Sequence, residues 1–581
     1  ARGTMDWLGG GAGGLRAAAS RVRQACESDL TPGQGIKPEG RAPEAENLWD
    51  AAAVFIAARL GLAGDDPAPP RFTVTELAQA FDVSLVDFFR ELKHVLGRCA
   101  DPLVALAGCD SRVELEQRLQ VRELSGELTW NAVLFKKYKQ AFYKVFRPVD
   151  ADGAQKSDAW FHFGWKLFLI SKGQLLPPFP DIVSCIHCMV CTLNVLLAHI
   201  PPSRMWRPLN SAEAFPMRTA AGATDTLACL VHVLGLPQEQ HAEVLEYMKG
   251  VDALLKKVLA VDESLEVCMP PLDGLIATGC HCFRGLLAHG AAARHLAYLD
   301  EVYERAYRLS GDIDERLVAA SSDGADQSAS QIGNTGHMTP ALKKQRVAAE
   351  GGIGGGSSLA APGQATPPRT PVSEAIQSTH WLRNQIREYV SADEEPPEVL
   401  QTYCGPDHAE LPGKVHAFVR ELAEQVLPAP ASHGGQAAQH RREGVALYYS
   451  VLGRMLEVEQ RRGAVGFHLL GIVSNKKLHL ALVAFAFELV AAAYKIVSLT
   501  FPTVLERLEL GAFDLCKVIE PLVRPETGLN LPRDLLRHLA AIEERSLESL
   551  AWKPGSPLYH YLAEARRGAV GGSGRGGVGE E

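Results

Sequence analysis

The most metal-like string in the sequence is the cysteine-rich segment Cys185-Ile186-His187-Cys188-Met189-Val190-Cys191. Zinc sites usually place such ligands on a turn, and a second pair elsewhere completes the tetrahedron. The nominal second pair here is Cys280-His281-Cys282. The first string, however, lies in an apolar run with helical spacing, where cysteine is common as a small buried hydrophobe. We therefore expect buried thiols and no metal site. An enzyme that uses Cys185, Cys188 and Cys191 as metal ligands is a minor alternative.

No residue pattern typical of a catalytic site is found in the sequence. It has no Gly-x-Ser-x-Gly elbow, and the glycine run at 351–356 lacks the Gly-Lys-Ser/Thr ending of a phosphate loop. Lysines and tyrosines alternate over 136–144, which is compatible with a nucleic-acid-binding face, but a solvated helix face is the better interpretation. We predict no enzymatic activity, no cofactor and no direct sequence-specific binding of nucleic acid.

Proline-directed threonines in the middle of the chain are candidate kinase targets. Thr366-Pro367-Pro368-Arg369 fits the Ser/Thr-Pro-x-basic pattern that cyclin-dependent kinases favour, whereas Thr339-Pro340 and Thr370-Pro371 are minimal sites. Thr-Pro pairs are also common in linkers that are not phosphorylated, so the pattern alone does not distinguish a regulatory segment from an ordinary linker. Thr370 stands where a helix N-cap belongs, with Pro371 at the first helical position. A phosphate there would bring about two negative charges to the positive end of the helix dipole.

The spacing of apolar residues predicts an all-α protein of several parts. The chain has 581 residues, 46% of them hydrophobic, which allows several cores and excludes a wholly disordered chain. Helical periodicity covers 46–320 and 370–562, without sets of alternating strands joined by hairpin turns. Segment 321–369 contains nine Gly and four Pro, so we expect a flexible, phosphorylatable linker. We expect 1–45 to be disordered and 563–581 to be a flexible spacer.

Two apolar segments, 182–200 and 478–497, are long enough to suggest membrane spans. Both contain polar or ionisable residues, such as Asn194 and Glu488, and an ionisable group near the bilayer centre costs about 3 kcal/mol. Buried helices of large domains are the better interpretation, and the second segment is apolar nearly all round, which predicts a surrounded central helix. We therefore predict no membrane partner.

The chain shows features of a reduced intracellular protein. Its twelve cysteines stand singly in apolar runs, and no secretory signal opens the sequence. Position 1 is Ala, so we expect a fragment or an incomplete gene prediction. The basic run Lys343-Lys344-Gln345-Arg346 is a weak indication of nuclear import.

Several strings resemble the retinoblastoma-related protein family, particularly its members from plants and green algae. The likeness to the A half of the family's pocket begins at Thr370-Pro371-Val372-Ser373-Glu374-Ala375-Ile376 and is strongest over 501–506 and 512–520. Upstream, 86–92 and 163–169 are similar to the family's N-terminal domain. The likeness covers about Trp49 to Tyr559.

The resemblance implies a nuclear transcriptional co-repressor and cell-cycle regulator. Its N-terminal domain would be a pair of cyclin-like helical folds, and the pocket A domain another. In the family, the A and B halves together bind and mask the transactivation segment of E-two-F/DP transcription factors, and recruit co-repressors that modify chromatin. Cyclin-dependent kinase–cyclin complexes release the factors by phosphorylation. Thr370 corresponds to the family site whose phosphorylation draws the N-terminal domain onto the pocket.

The resemblance also implies which residues line the transactivation-peptide groove. An acidic and hydrophobic peptide needs apolar anchors and a few cations, which Lys517 and Arg537 would supply, whereas the glutamates would accept hydrogen bonds and fix its register. Position 537 is Arg where many relatives have Lys, a change that keeps the charge and alters its geometry. Without the resemblance, a solvated helix surface would be the better interpretation of all five residues. They are Lys517, Glu520, Arg537, Glu543 and Glu548.

The main departure from the family is at the end of the sequence. After Tyr559 comes a glycine-rich segment where the B half of the family's pocket would follow. We expect this chain by itself to bind no Leu-x-Cys-x-Glu proteins, to bind the factors weakly and to keep few of the co-repressor partners. The alternative function is a helical adaptor or scaffold that acts through its N-terminal domain.

Overall fold

Helices make up nearly all of the chain that the computed structural model describes, which confirms the predicted all-α class. The chain divides into two compact units, residues 1–173 with 187–363 and residues 174–186 with 364–581. The described residues are 12–30, 43–62, 72–109, 112–146, 159–176, 181–200, 224–259, 266–268, 275–276, 279–287, 289–317, 370–389, 395–404, 408–428, 435–463, 466–499, 501–548, 550–552, 555–556 and 558–572.

The first part of the chain consists of helices and four two-residue strands. Strand β1 pairs with β3 in parallel, and β2 pairs with β4 antiparallel. The elements are α1 (Ala12–Leu30), α2 (Pro43–Arg59), α3 (Val74–Ala80), α4 (Leu85–Arg98), α5 (Ala100–Ala107), α6 (Arg112–Arg118), α7 (Val121–Val145), α8 (Ala159–Leu175), α9 (Ile182–His199), β1 (Thr224–Asp225), α10 (Thr226–Val233), α11 (His241–Leu259), β2 (Val267–Cys268), β3 (Leu275–Ile276), β4 (Cys282–Phe283) and α12 (His289–Ser310).

The prediction that residues 1–45 are disordered is wrong for α1. Leu15, Val22 and Cys26 of this helix are fully buried, and the helix packs against α2, α4 and α5. Their spacing of seven and four residues places them on one helical face. The high Gly and Ala content around them hid this short apolar stripe in the sequence.

The lysines of α7 close the end of a neighbouring helix. Lys137 Nζ donates to the carbonyl of Leu234 at 3.4 Å, and Lys144 Nζ donates to the carbonyl of Val233 at 3.1 Å. Both carbonyls lie at the C-terminal end of α10, where a cation offsets the negative end of the dipole. These two lysines therefore have a structural role in the first unit.

Apart from residues 174–186, the second unit is formed by the helices that follow residue 369. The first residue described after position 317 is Thr370, which is the N-cap of the helix Pro371–Ile386. The helices are α13 (Pro371–Ile386), α14 (Glu398–Cys404), α15 (Leu411–Val426), α16 (Gly435–Arg461), α17 (Gly466–Val473), α18 (Lys476–Tyr494), α19 (Thr503–Arg507), α20 (Ala512–Val523), α21 (Arg533–Glu548) and α22 (Leu558–Gly572).

Helix α18 is the surrounded central helix that the sequence predicted. It packs against α13, α15, α16, α20 and α21, and its side chains are buried from Ala481 to Tyr494. Gly444 of α16 makes room for the Phe487 ring of α18, because a Cβ at this position would lie 2.5 Å from Cζ of Phe487. Helices α20 and α21 of the candidate site are thus positioned against a helix whose side chains are buried from Ala481 onward.

Two helices of the described residues, α9 and α18, are long and apolar enough to cross a membrane. In the structure, 94% of the apolar window of α9 and 83% of that of α18 is buried inside the protein. Their composition is therefore explained by packing within the protein's own core.

Local contacts set two helix ends of the second unit, and a third differs from the sequence prediction. Helix α16 begins at Gly435, and the ring of buried His440 in its second turn lies 4.4 Å from that of Tyr494. Helix α21 ends at Glu548, and the Trp552 indole donates to the carbonyl of Leu547 at 2.6 Å within the turn that follows. Part of the expected spacer, 563–572, belongs to α22.

We expect substitution of Gly444 by Ala to destabilise the second unit. The added methyl group would collide with the Phe487 ring, and overpacking of this kind costs about 1–3 kcal/mol. Calorimetric unfolding of the whole chain measures the shift of the transition.

Gly413→Ala is the matched control for this substitution. Gly413 also lies in a helix of the second unit, and a Cβ there would meet nothing within 4 Å. Ala is the better helix former by up to about 1 kcal/mol, so this variant should unfold at the wild-type temperature or above it. Equal destabilisation by both substitutions would contradict the close crossing of α16 and α18.

Candidate functional site

Helices α20 and α21 carry all five predicted groove residues and pack side by side. The turn between them is fixed from two neighbouring helices. Arg454 of α16 donates to the carbonyl of Gly528 at 3.1 Å, and the Trp381 indole of α13 donates to the carbonyl of Leu529 at 2.8 Å. Gly528 has a φ of +66°, which glycine adopts without the penalty of a Cβ. The relative position of the two helices therefore depends on α13 and α16.

Thr370 caps helix α13 as the sequence predicted. Its Oγ1 accepts a hydrogen bond from the backbone N–H of Ser373 at 3.2 Å, and its own N–H donates to Ser373 Oγ at 2.9 Å. Pro371 occupies the first helical position, and Thr370 is exposed. The hydroxyl that a kinase would modify is thus a structural part of the helix start.

Arg537 of α21 extends toward the first turn of α13. One of its guanidinium nitrogens lies 2.8 Å from Oε1 of Glu374 and 3.2 Å from Oδ1 of Asp534. Glu374 follows Thr370 by four residues, so both side chains lie on the same face of the helix start. The predicted groove cation and the predicted phosphorylation site are therefore linked through one carboxylate.

A buried carboxylate joins α21 to the central helix. Glu488 of α18 is fully buried, and its Oε2 lies 3.1 Å from Nε2 of His538. A buried charge or polar group requires such a partner. Because His538 faces inward, its neighbour Arg537 is left on the outer side of α21, with 66% of its side chain exposed.

Lys517 of α20 lies between an acid and two aromatic rings. Its Nζ is 2.7 Å from Oδ1 of Asp514, and it lies 4.6 Å from the ring centre of Tyr561 and 5.1 Å from that of Phe513. Partial burial alone would lower the pKa of Lys517, but hydrogen bonds with Asp514 and Tyr561 outweigh this effect and raise it. Lys517 is therefore a cation at neutral pH, and Tyr561 of α22 lies over it.

The three predicted glutamates differ in their surroundings. Glu520 is exposed and accepts a hydrogen bond from Arg524 at 2.7 Å. Partial burial and the charge of Glu520 raise the pKa of Glu543 on the adjacent helix. Glu548 is the exposed last residue of α21.

Exposed apolar side chains concentrate beside these charges. Six of the eight large hydrophobic residues that are exposed in the described part of the chain lie between 536 and 562. Apolar surface of this kind, rimmed by charged residues, is typical of an interaction site. The six are Leu536, Leu547, Trp552, Tyr559, Tyr561 and Leu562.

The structure brings some of the predicted groove residues together and separates others. Lys517 and Glu520 lie three residues apart on α20, and Glu543 and Glu548 lie on the adjacent α21. Arg537 pairs instead with the start of α13.

Sequence reasoning missed several partners of these residues. Asp514 and Asp534 precede Lys517 and Arg537 by three residues, so helical spacing was a signal for them. No local signal indicated Tyr561, since its contact with Lys517 depends on the path of the chain after α21.

The remaining candidate residues that the structure describes are the cysteines of α9. Thr339 and Thr366 lie outside the described residues. Cys185, Cys188 and Cys191 are buried along α9, and within the part of the chain that is described, no group of three His, Cys, Asp or Glu side chains is placed to hold a metal ion. Apart from the groove, Thr370 is therefore the one predicted site residue with a described environment.

Two parts of the chain match known protein families. Residues 370–562 match the retinoblastoma-associated protein A domain, and residues 69–199 match a family described as a domain of unknown function. A retinoblastoma-related protein of Cocos nucifera is 30% identical over 569 residues, which cover 91% of this chain and 54% of that protein. Retinoblastoma-related protein 1 of Oryza sativa subsp. indica is 29% identical over 568 residues, 91% of this chain and 55% of that protein. The chain thus spans about half the length of the curated relatives it matches.

Neighbouring residues of α21 should respond very differently to substitution. His538→Ala removes the partner of the buried Glu488 carboxylate, and we expect a loss of about 2–4 kcal/mol in the free energy of unfolding of the second unit. Arg537→Ala removes only exposed ion pairs, which should cost less than about 0.5 kcal/mol. Calorimetric unfolding of the two variants checks this, and equal effects would show that α21 is not held through Glu488.

Proposed function

Because this chain belongs to the retinoblastoma-related protein family, we propose that it is a transcriptional co-repressor and cell-cycle regulator of the nucleus, without enzymatic activity. In this proposal it binds the transactivation segment of E-two-F/DP transcription factors along α20 and α21 and masks it. Chromatin-modifying co-repressors would be further partners. Cyclin-dependent kinase–cyclin complexes would release the factors by phosphorylating Thr339, Thr366 and Thr370.

One observation carries the proposal, namely the exposed apolar side chains that lie beside two cations. Leu536 and Arg537 are adjacent on the outer side of α21, and both are exposed. Lys517 adds a second cation on the facing helix. A peptide that alternates acidic and apolar residues could bury its apolar side chains here and pair its carboxylates with the cations. Both helices are fixed by buried contacts, which favours binding by reducing the ordering cost.

The contact of Tyr561 with Lys517 would influence this binding. The ammonium group already interacts with the ring and with Asp514, so a peptide carboxylate has to compete with both. Withdrawal of α22 from Lys517 would leave Asp514 as the competitor for the ammonium group. The affinity of the groove therefore depends on the position of α22 as well as on the groove residues themselves.

The link from Thr370 to Arg537 provides a route for phosphorylation to reach the groove. A phosphate on Thr370 would lie within one helical turn of Glu374, which holds the Arg537 guanidinium at 2.8 Å. Arginine pairs with phosphate more strongly than with most neutral acceptors. The phosphate would draw Arg537 toward the start of α13 and remove a cation from the groove.

We expect the double substitution Lys517→Glu with Arg537→Glu to weaken binding of an acidic transactivation peptide by about 1–3 kcal/mol, or about 5- to 150-fold. The reason is that each substitution replaces a cationic side chain with a carboxylate, which repels the carboxylates of the peptide. Fluorescence anisotropy with a labelled peptide measures the affinity, with the chain joined to the B half of a plant relative so that both walls of the pocket are present.

The matched control changes the same charge elsewhere in the second unit. Lys414 and Lys477 are exposed on α15 and α18, and their replacement by Glu should leave affinity within about twofold, because neither lysine lies on a helix that carries groove residues. Unchanged affinity in the groove variant would refute the assignment of Lys517 and Arg537 and favour the adaptor alternative.

Phosphorylation of Thr370 should weaken peptide binding about 3- to 10-fold, because the phosphate competes for Arg537. The same modification in an Arg537→Gln background should have little effect, so the two changes form a double-mutant cycle. Anisotropy on unmodified and stoichiometrically phosphorylated chains supplies the four affinities. An equal reduction in both backgrounds would contradict the route through Arg537 and would favour docking of the N-terminal domain instead.

A further inference from the structure

Two cysteines face each other across the antiparallel pair β2–β4 of the first unit. The register places Cys268 directly opposite Cys282, and their sulfur atoms are 3.5 Å apart. Residues opposite each other in such a ladder have Cα atoms about 4.5–5.5 Å apart, within the range of about 4.4–6.8 Å that a disulfide spans. Both are thiols in the structure.

Strand β4 is fixed to two helices, so Cys282 has little freedom to move away. The Cys282 thiol donates to the carbonyl of Ala198 at 3.2 Å, and the N–H of Phe283 donates to Nε2 of His199 at 3.0 Å, both at the end of α9. Burial lowers the pKa of His199 to about 4, which keeps this nitrogen an acceptor. On the other side, the N–H of His281 donates to Asp252 of α11 at 2.8 Å.

We propose that Cys268 and Cys282 form a reversible dithiol–disulfide site that is oxidised by hydroperoxides. The thiolate of Cys268 attacks the peroxide, which breaks the O–O bond, gives a sulfenic acid at Cys268 and releases an alcohol or water. The Cys282 thiol then attacks that sulfur, the S–S bond forms, and water leaves. The two thiols lose two electrons and two protons in total, and the peroxide accepts both electrons.

The surroundings assign different roles to the two thiols. Cys268 is half-buried, whereas only 4% of Cys282 is exposed. Burial and the neighbouring Cys268 raise the pKa of Cys282 to about 12, so Cys268 is the thiol that meets the oxidant first. The nearby Cys280 points elsewhere, since its thiol donates to the carbonyl of His281, and burial raises its pKa well above the usual range.

Closure of the disulfide would also change a contact of α9. The hydrogen that Cys282 donates to the Ala198 carbonyl is lost when the S–S bond forms. That carbonyl lies in the last turn of the helix, where no intrahelical donor is available. Oxidation should therefore loosen the end of α9 while it ties β2 to β4.

Mass spectrometry of the whole chain tests the proposal. Trypsin releases residues 258–284 as one peptide, which contains Cys268, Cys280 and Cys282. After treatment with hydrogen peroxide, this peptide should be two hydrogens lighter, and a thiol reductant should reverse the change. The oxidised chain is alkylated with one reagent, then reduced and alkylated with a second reagent. The first reagent should label Cys280, which stays a thiol, and the second should label Cys268 and Cys282, which reduction of the disulfide releases.

Variants distinguish the predicted pair from other pairings. Cys280→Ser should still lose the two hydrogens at the wild-type rate, whereas Cys268→Ser should lose them at least about tenfold more slowly. Linkage that requires Cys280, or oxidation of single thiols to sulfinic acid, would overturn the proposal. The differential alkylation of the wild-type chain decides the pairing even if a variant fails to fold. Amide hydrogen exchange at 196–199 should rise on oxidation, and unchanged exchange would refute the loosening of α9.

Discussion

The buried carboxylate of Glu488 determines how the candidate groove is oriented. This group lies on a helix whose side chains are buried from Ala481 onward, and a carboxylate in such a place has to be partnered. His538 supplies the partner and thereby fixes the rotation of α21 about its axis. Residue 537 then faces outward, where its guanidinium can meet either the start of α13 or a bound peptide.

The remaining contacts of the second unit reinforce this arrangement. The central helix packs against α13, α15, α16, α20 and α21, and Gly444 of α16 makes room for the Phe487 ring of the central helix. Arg454 and Trp381 hold the turn that leads from α20 into α21. The groove is therefore built on helices whose positions are set by the core. The contacts that can change are the ion pair of Arg537 with Glu374 and the contact of the Tyr561 ring with Lys517.

The sequence could predict those features of the structure that depend on local residue patterns. The retinoblastoma-related resemblance is confirmed by the matches over 370–562 and to plant relatives. The N-cap at Thr370 and the surrounded helix both depend on residues within a few turns of one another, and both were predicted. The groove residues and their roles stay a prediction.

Long-range packing explains what the sequence could not predict. The pairing of Arg537 with Glu374 joins residues 163 positions apart, and the contact of Tyr561 with Lys517 depends on a helix that continues into what composition indicated was a spacer. Helix α1 was missed for a related reason, since its short stripe is stabilised by the neighbours against which it packs.

The most direct test of the central claim is amide hydrogen exchange of the second unit with and without a bound acidic transactivation peptide. We expect slower exchange in Ala512–Val523 and Arg533–Glu548 when the peptide binds, with little change in Leu411–Val426, which carries no groove residue. Protection confined to other helices, with none in these two, would contradict the assignment of the groove.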